Sequence, residues 1–123
     1  MLGASQVMAF VATADAARAR GFYGDVLGLR LVSDVAFGLV FDSGGTTLRV
    51  QKVAKVTPPA YTVLGWSVAD IEATRERLRA GGVRFESFGL PEQDKAGLWT
   101  AGDGTRVAWF RDPDGNLLSL TQF

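Results

Sequence analysis

The chain has 123 residues, of which 47% are hydrophobic and 21% charged, the profile of one globular domain that can bury its own core. Lysine plus arginine and aspartate plus glutamate each number 13, which argues against a nucleic-acid partner or an anionic membrane surface. No apolar stretch reaches the roughly 18 residues of a membrane span, and the N-terminus lacks a signal-peptide pattern. We therefore expect a cytoplasmic protein with no membrane partner.

Cysteine and histidine are both absent from the chain. Their absence excludes disulfides, thiolate nucleophiles, cysteine-ligated zinc, serine–histidine triads and histidine acid–base chemistry. A metal ion could be bound only by oxygen ligands, mainly from Asp and Glu, and such ligands favour Mg²⁺, Ca²⁺ or Mn²⁺.

The first half of the chain predicts the order β-α-β-β-β. An apolar strand at residues 7–12 precedes Asp15, which is an N-cap candidate for a helix at residues 16–27. Gly28 is the C-cap candidate of that helix. Three strands are predicted to follow, at residues 29–35, 37–41 and 46–53.

The second half predicts the same order again, after a proline-containing connector at residues 54–60. Asp70 is an N-cap candidate for a helix at residues 71–80, which Gly81-Gly82 ends. A loop is predicted at residues 89–97, and strands are predicted at residues 61–68, 83–88, 98–101, 105–111 and 117–122. The chain therefore reads as one domain with a repeated unit, its first module at about 5–53 and its second at about 61–123.

The turn Asp112-Pro113-Asp114-Gly115-Asn116 joins the last two strands, with residues suited to each turn position. Together with Ala14-Asp15, Val26-Leu27-Gly28-Leu29 and Val68-Ala69-Asp70-Ile71, it resembles the vicinal oxygen chelate superfamily of glyoxalase I, bleomycin-resistance proteins and extradiol dioxygenases. The resemblance implies an α+β fold of two tandem βαβββ modules whose mixed sheets form a cup-shaped, partly open barrel. It also implies a homodimer, in some members with modules exchanged between subunits.

Enzymes of this family bind a divalent metal through side chains of the first and last strands of each module, typically His or Glu. The matching positions here are Met8, Arg49, Val63 and Ser119, and none is a usual metal ligand. The resemblance therefore favours a metal-free protein without a cofactor that binds or sequesters a small molecule. The alternatives are a glyoxalase- or dioxygenase-type enzyme with an unconventional or absent metal site, and a structural or partner-binding module with a filled cup.

Strand alternation and the family's cup select the candidate ligand-binding residues. Arg49 would pair with an anionic group of the ligand, or else with water or a nearby acid. Aromatic residues at the cup would favour a partly aromatic or apolar ligand, although core packing explains tryptophans equally well. Trp66 is predicted to pack in the core beneath the second helix. The predicted ligand-binding residues are Met8, Phe10, Arg49, Trp99, Trp109, Arg111 and Ser119; no catalytic residue is assigned.

Overall fold

The computed structural model describes every residue from Met1 to Phe123. Contacts within the chain divide it into two units, Met1–Pro58 and Pro59–Phe123. No helix in either unit has the length and apolar character required to cross a bilayer.

The first unit contains a four-stranded mixed sheet in the order β1-β4-β3-β2. Strand β1 is parallel to β4, and the other neighbours are antiparallel. Its elements, after a 3₁₀ turn at Leu2–Ala4, are β1 (Met8–Thr13), α1 (Ala16–Arg20), a π-helix (Gly21–Val26), β2 (Arg30–Val35), β3 (Gly38–Ser43) and β4 (Thr46–Lys52).

The second unit contains a sheet with the equivalent order, β5-β8-β7-β6. Its first and last strands are again parallel neighbours, and the others are antiparallel. The repeat in the sequence is therefore a repeat of topology, and the predicted α+β fold of two βαβββ modules is confirmed. The elements of this unit are β5 (Leu64–Ser67), α2 (Ile71–Ala80), β6 (Trp99–Thr100), β7 (Arg106–Arg111) and β8 (Leu117–Gln122).

Both main helices begin at the predicted aspartates. The Asp15 carboxylate accepts a hydrogen bond from the backbone N–H of Arg18 at 3.2 Å, and Asp70 accepts one from Ala73 at 3.0 Å. Each bond satisfies a donor that the first helical turn leaves without a partner. The short-range capping signal was thus sufficient to fix where both helices start.

The first helix differs from the regular helix predicted at residues 16–27. It is α-helical only to Arg20 and continues as a π-helix over Gly21–Val26, which ends with a 2.9 Å bond from Leu27 N to Phe22 O. Glycines at 21 and 24 weaken the α-helical preference of this segment. The cap is accordingly Leu27, and Gly28 follows it with a φ of 78°.

The strand predicted at residues 83–88 does not form, and this prediction was wrong. Phe85 makes one isolated bridge to Phe110 on β7, and Glu86 N donates to Trp109 O at 2.8 Å. The chain then leaves the sheet edge, and the side-chain amide of Gln93 binds its backbone. This amide donates a hydrogen bond to Glu86 O at 3.1 Å and accepts one from Phe88 N at 2.8 Å. A side chain from a later loop therefore replaces the ladder bonds of a strand.

The core of the second unit lies between its sheet and α2. Arg106 on β7 reaches Glu72 of α2 at 3.5 Å, so the alternate residue Phe110 also faces this helix. Phe110 is fully buried, and the ring of Trp66 stacks on it with centroids 6.5 Å apart. Trp66 thus packs against this core on the side of α2, as predicted, but it is half-buried rather than enclosed.

Candidate functional site

The first sheet has one face covered by its helices and one face left open. Phe41 lies on the covered face, where its ring approaches Tyr23 with centroids 6.1 Å apart. Leu48 pairs with Phe41 and is buried with it, so Arg49 points to the opposite face. Phe10 pairs with Arg49 in the parallel ladder and lies on this open face. Met8, Phe10, Phe37 and Arg49 are together called the Arg49 face.

Two aromatic rings flank the guanidinium of Arg49. Its Cζ atom lies 4.9 Å from the ring centroid of Phe37 and 6.0 Å from that of Phe10. Both rings are largely open to solvent, with 58% of Phe37 and 47% of Phe10 exposed. The rings stabilise the cation through their π-faces and also present apolar surface beside it.

Arg49 has no hydrogen-bond partner for its Nε atom, which is buried. The two acids on the strands of this sheet are already paired with other cations: Asp34 with Lys52 at 2.5 Å, and Asp42 with Arg30 at 3.8 Å. The alternative in which Arg49 pairs with a nearby acid is therefore wrong. A buried N–H without a partner is costly, and the arginine that carries it is half-buried on the open face of the sheet.

Gly38 makes room for the stem of Arg49 on the neighbouring strand. A Cβ atom on Gly38 would lie 3.3 Å from Arg49 Cγ and 3.0 Å from the backbone oxygen of Val50. Phe37, immediately before it, belongs to the turn between β2 and β3 and was not among the predicted site residues. Gly38 pairs with Gln51, and Val40 is the residue that pairs with Arg49, so strand periodicity gave no signal for this close packing.

The open face of the second sheet carries an aromatic group. Trp109 precedes Phe110 on β7, and consecutive side chains of a strand point to opposite faces of the sheet. Trp109 therefore faces away from α2. Phe88 meets Trp109 edge to face with centroids 5.5 Å apart, and Trp99 lies 6.2 Å from Trp109. Phe88, Trp99 and Trp109 are called the tryptophan cluster. Phe88 was missed by sequence analysis because it was assigned to a strand that does not form.

Arg111 shares the face of Trp109, but its guanidinium is already occupied. Its Nε donates to Glu86 Oε1 at 2.7 Å, and its Nη1 donates to the backbone oxygen of Gly115 at 3.0 Å. These bonds brace the hairpin between β7 and β8 against the preceding loop. Arg111 is thus less available to a ligand than Arg49.

Ser119 is nearly buried on β8, where it pairs with Gly65 of β5 and Trp109 of β7. A Cβ atom on Gly65 would lie 2.5 Å from Ser119 Oγ. The serine hydroxyl therefore fills the space that a side chain on β5 would need. In the first unit the equivalent pair is Phe10 and Arg49, so the same position carries a ring there and only hydrogen here.

Substituting Gly65 with alanine is expected to lower the free energy of unfolding by about 2 kcal/mol, because the new methyl group overlaps the Ser119 hydroxyl. The double substitution Gly65→Ala with Ser119→Ala should recover at least half of this loss, since the hydroxyl is then absent. Urea unfolding of both variants measures the coupling. Gly102→Ala, which meets no atom within 4 Å, is the matched control; additive losses would contradict the overlap.

The residues at the four metal-ligand positions of the family do not fit a divalent ion. They offer a thioether at Met8, a guanidinium at Arg49, an isopropyl group at Val63 and a hydroxyl at Ser119. The unpaired cation at Arg49 would repel a metal. Nowhere in the chain do three or more His, Cys, Asp or Glu residues lie together as a metal group. The arrangement is suited to binding an anion or an apolar molecule instead.

Comparison with protein families gives a match over nearly the whole chain. Residues 5–120 match the family model described as the Glyoxalase/Bleomycin resistance protein/Dioxygenase superfamily. No curated protein matches the chain by sequence.

Solved structures share the fold at low sequence identity. A glyoxalase family protein from Enterococcus faecalis is 20% identical with a TM-score of 0.78, covering 98% of this chain and 99% of that one. A fosfomycin resistance protein from Listeria monocytogenes is 16% identical with a TM-score of 0.75, covering 98% and 93%. A lactoylglutathione lyase from Agrobacterium tumefaciens is 19% identical with a TM-score of 0.74, covering 96% and 93%. At these identities the likeness shows the fold alone.

Proposed function

Because the chain belongs to the glyoxalase/bleomycin resistance protein/dioxygenase superfamily, we propose that it binds a small, partly aromatic or apolar molecule on the Arg49 face without a metal ion. The observation that carries this proposal is the unpaired Nε of Arg49 between two exposed aromatic rings. It lies where the family's enzymes place a metal ligand. On this proposal, the position serves ligand contact where the family's enzymes use metal coordination.

Binding is proposed rather than catalysis because no pair of titratable groups is set up for proton transfer. The carboxylate of Asp94 accepts backbone hydrogen bonds from Ala96 and Leu98 and thereby shapes its loop. Asp103 accepts one from Thr105 at 2.9 Å, and this bond lowers the pKa of the Asp103 carboxyl below its ordinary value. Both carboxylates therefore serve the backbone of their loops.

Within the second unit, the tryptophan cluster is a further surface suited to an apolar or aromatic molecule. Trp99 and Trp109 are each half-buried, and Phe88 is 43% exposed. Exposed aromatic rings on the open face of a sheet are a common lining of small-molecule sites. Ser119 and Arg111 would contribute polar groups beside this cluster, although Arg111 would first have to exchange its bond to Glu86.

A thermal-shift screen of the metal-stripped protein tests the proposed function. A ligand present at 100 times its Kd adds about 2.7 kcal/mol of stability, which raises Tm by several degrees in a chain of this size. We expect organic molecules to raise Tm without metal, and the rise to disappear in Phe37→Ala. Tyr61→Ala, which removes an aromatic ring that is 71% exposed elsewhere, is the control and should keep the rise.

The opposite pattern would overturn the proposal. If Mg²⁺, Mn²⁺, Fe²⁺ or Zn²⁺ alone raised Tm and organic molecules acted only with a metal present, the enzyme alternative with an unconventional metal site would replace it.

We further propose that the protein is a homodimer, as the family implies. Light scattering checks this, and the mass of a single chain, 13.2 kDa, would contradict it.

A further inference from the structure

The Arg49 face carries a positive charge that nothing in the chain neutralises. We infer that the ligand carries a single oxyanion, most simply a carboxylate, on an apolar or aromatic body, and that Arg49 binds this group. The inference rests on the proposed function, which it deepens by naming the ligand's charge and its chemical class.

The guanidinium of Arg49 carries a charge without an acidic partner. Arginine is protonated at any physiological pH, so the charge at Arg49 is permanent. No carboxylate lies within ion-pair distance of it, although every other arginine on a strand of this chain has an acidic neighbour: Arg30 with Asp42, Arg106 with Glu72 and Arg111 with Glu86. Arg49 is therefore the exception that calls for an external anion.

The net charge on the open face of the first sheet indicates the charge of the ligand. On the open face, Arg30 lies 3.8 Å from Asp42, so these two groups offset each other and Arg49 leaves a net charge of one. On the covered face, Lys52 and Arg20 both bind Asp34, and the pKa of the Asp34 carboxyl is lowered by the Lys52 hydrogen bond first and by the two positive charges next. No second free cation is left in the sheet to bind a dianion.

The planar guanidinium of Arg49 favours one shape of anion. A carboxylate matches the planar fork of a guanidinium with two parallel hydrogen bonds. A phosphate monoester carries a charge of about −1.5 to −2 at neutral pH and would need a further cation. Thr47 and Gln51 flank Arg49 on β4 and share its face, so they add neutral hydrogen-bonding groups but no charge.

The exposed apolar side chains of the Arg49 face indicate the chemistry of the rest of the ligand. Phe10, Phe37 and Met8 are exposed by 47%, 58% and 44%, an unusual group of apolar side chains around one cation. Their burial against a ligand would be favourable by roughly 25 cal/mol for each Å² of apolar surface removed from water. Sugar acids and other polyhydroxylated acids offer little such surface, so an aromatic or aliphatic acid fits better.

NMR titration of the metal-stripped protein tests the inference with three probes of similar shape: 2-naphthoate, its neutral amide and 2-naphthyl phosphate. We expect 2-naphthoate to shift the Arg49 Nε–H signal saturably, and the amide and the phosphate to bind at least tenfold more weakly. Arg49→Met should weaken 2-naphthoate binding at least tenfold. Arg18→Met removes an equal charge from α1 and should leave binding unchanged. Circular dichroism melting of both variants confirms that they are folded.

Each other result has a defined meaning. If the amide binds as tightly as 2-naphthoate, or if Arg49→Met retains the affinity, the oxyanion is wrong while the proposed small-molecule function stands. If the phosphate binds more tightly, the single charge is wrong. If no organic probe binds at millimolar concentrations and a divalent metal does, both the inference and the proposed function fall.

Discussion

Replacing Phe110 with alanine is expected to lower the free energy of unfolding by about 4 kcal/mol. Phe110 is fully buried, and its ring contacts Trp66 and Phe85 with centroids 6.5 and 5.6 Å away. Strand β7 is an interior strand that bonds to β8 on one side and β6 on the other, so the backbone has little freedom to fill the cavity. Urea unfolding followed by tryptophan fluorescence measures the loss.

Phe88→Ala is the matched control for Phe110→Ala. It removes the same ring from a position that is 43% exposed and in contact with Trp109. Its loss should be about 1 kcal/mol or less, because little cavity is created at a surface. Equal losses in the two variants would contradict the assignment of Phe110 to the core between the second sheet and α2.

Replacing Asp112 with alanine is expected to lower the free energy of unfolding by about 3 kcal/mol. Its buried carboxylate accepts hydrogen bonds from Asp114 N at 3.0 Å, Asn116 N at 2.9 Å and Asn116 Nδ2 at 2.8 Å. Alanine leaves the Asn116 donors without these bonds inside the protein. The turn between β7 and β8 would loosen, and chemical denaturation would report it as a lower midpoint.

Asp103→Ala provides the comparison for Asp112→Ala. Asp103 also accepts a backbone bond in a turn, from Thr105 at 2.9 Å, but it is exposed to water. Water replaces the lost partner there, so the decrease should be much smaller than for Asp112. A decrease as large as that of Asp112→Ala would mean that burial of the carboxylate is not what makes the last turn important.

Local chemistry explains which parts of the fold could be predicted. The N-caps at Asp15 and Asp70 and the turn that begins at Asp112 depend on residues within a few positions, and all three form as expected. The absent strand at residues 83–88 depends on Gln93, a loop residue whose amide bonds cannot be inferred from strand periodicity. The π-helix contains two glycines and the buried Tyr23, and apolar spacing along the sequence does not distinguish it from an α-helix.

The candidate site was predictable in part for the same reason. Alternation within each strand, together with the cup that the family resemblance implies, placed Met8, Phe10 and Arg49 on one face, and the pairing of β1 with β4 puts them there. Whether Arg49 meets an acid depends on the cross-strand pairing of Asp42 and on the turn that carries Phe37, and neither follows from periodicity. The ion pair of Arg111 could not be predicted either, because its partner Glu86 lies in the segment that was wrongly assigned to a strand.

The unpaired Nε of Arg49 also has a consequence for how the protein would evolve in the laboratory. An arginine that keeps a buried donor without a partner makes the free chain less stable than a well-packed apolar residue would. Selection for heat resistance alone should therefore replace Arg49 early, and selection in the presence of the ligand should keep it. Proteins from warm habitats that retain an arginine here would be the ones in which the bound form, rather than the free chain, sets the working stability.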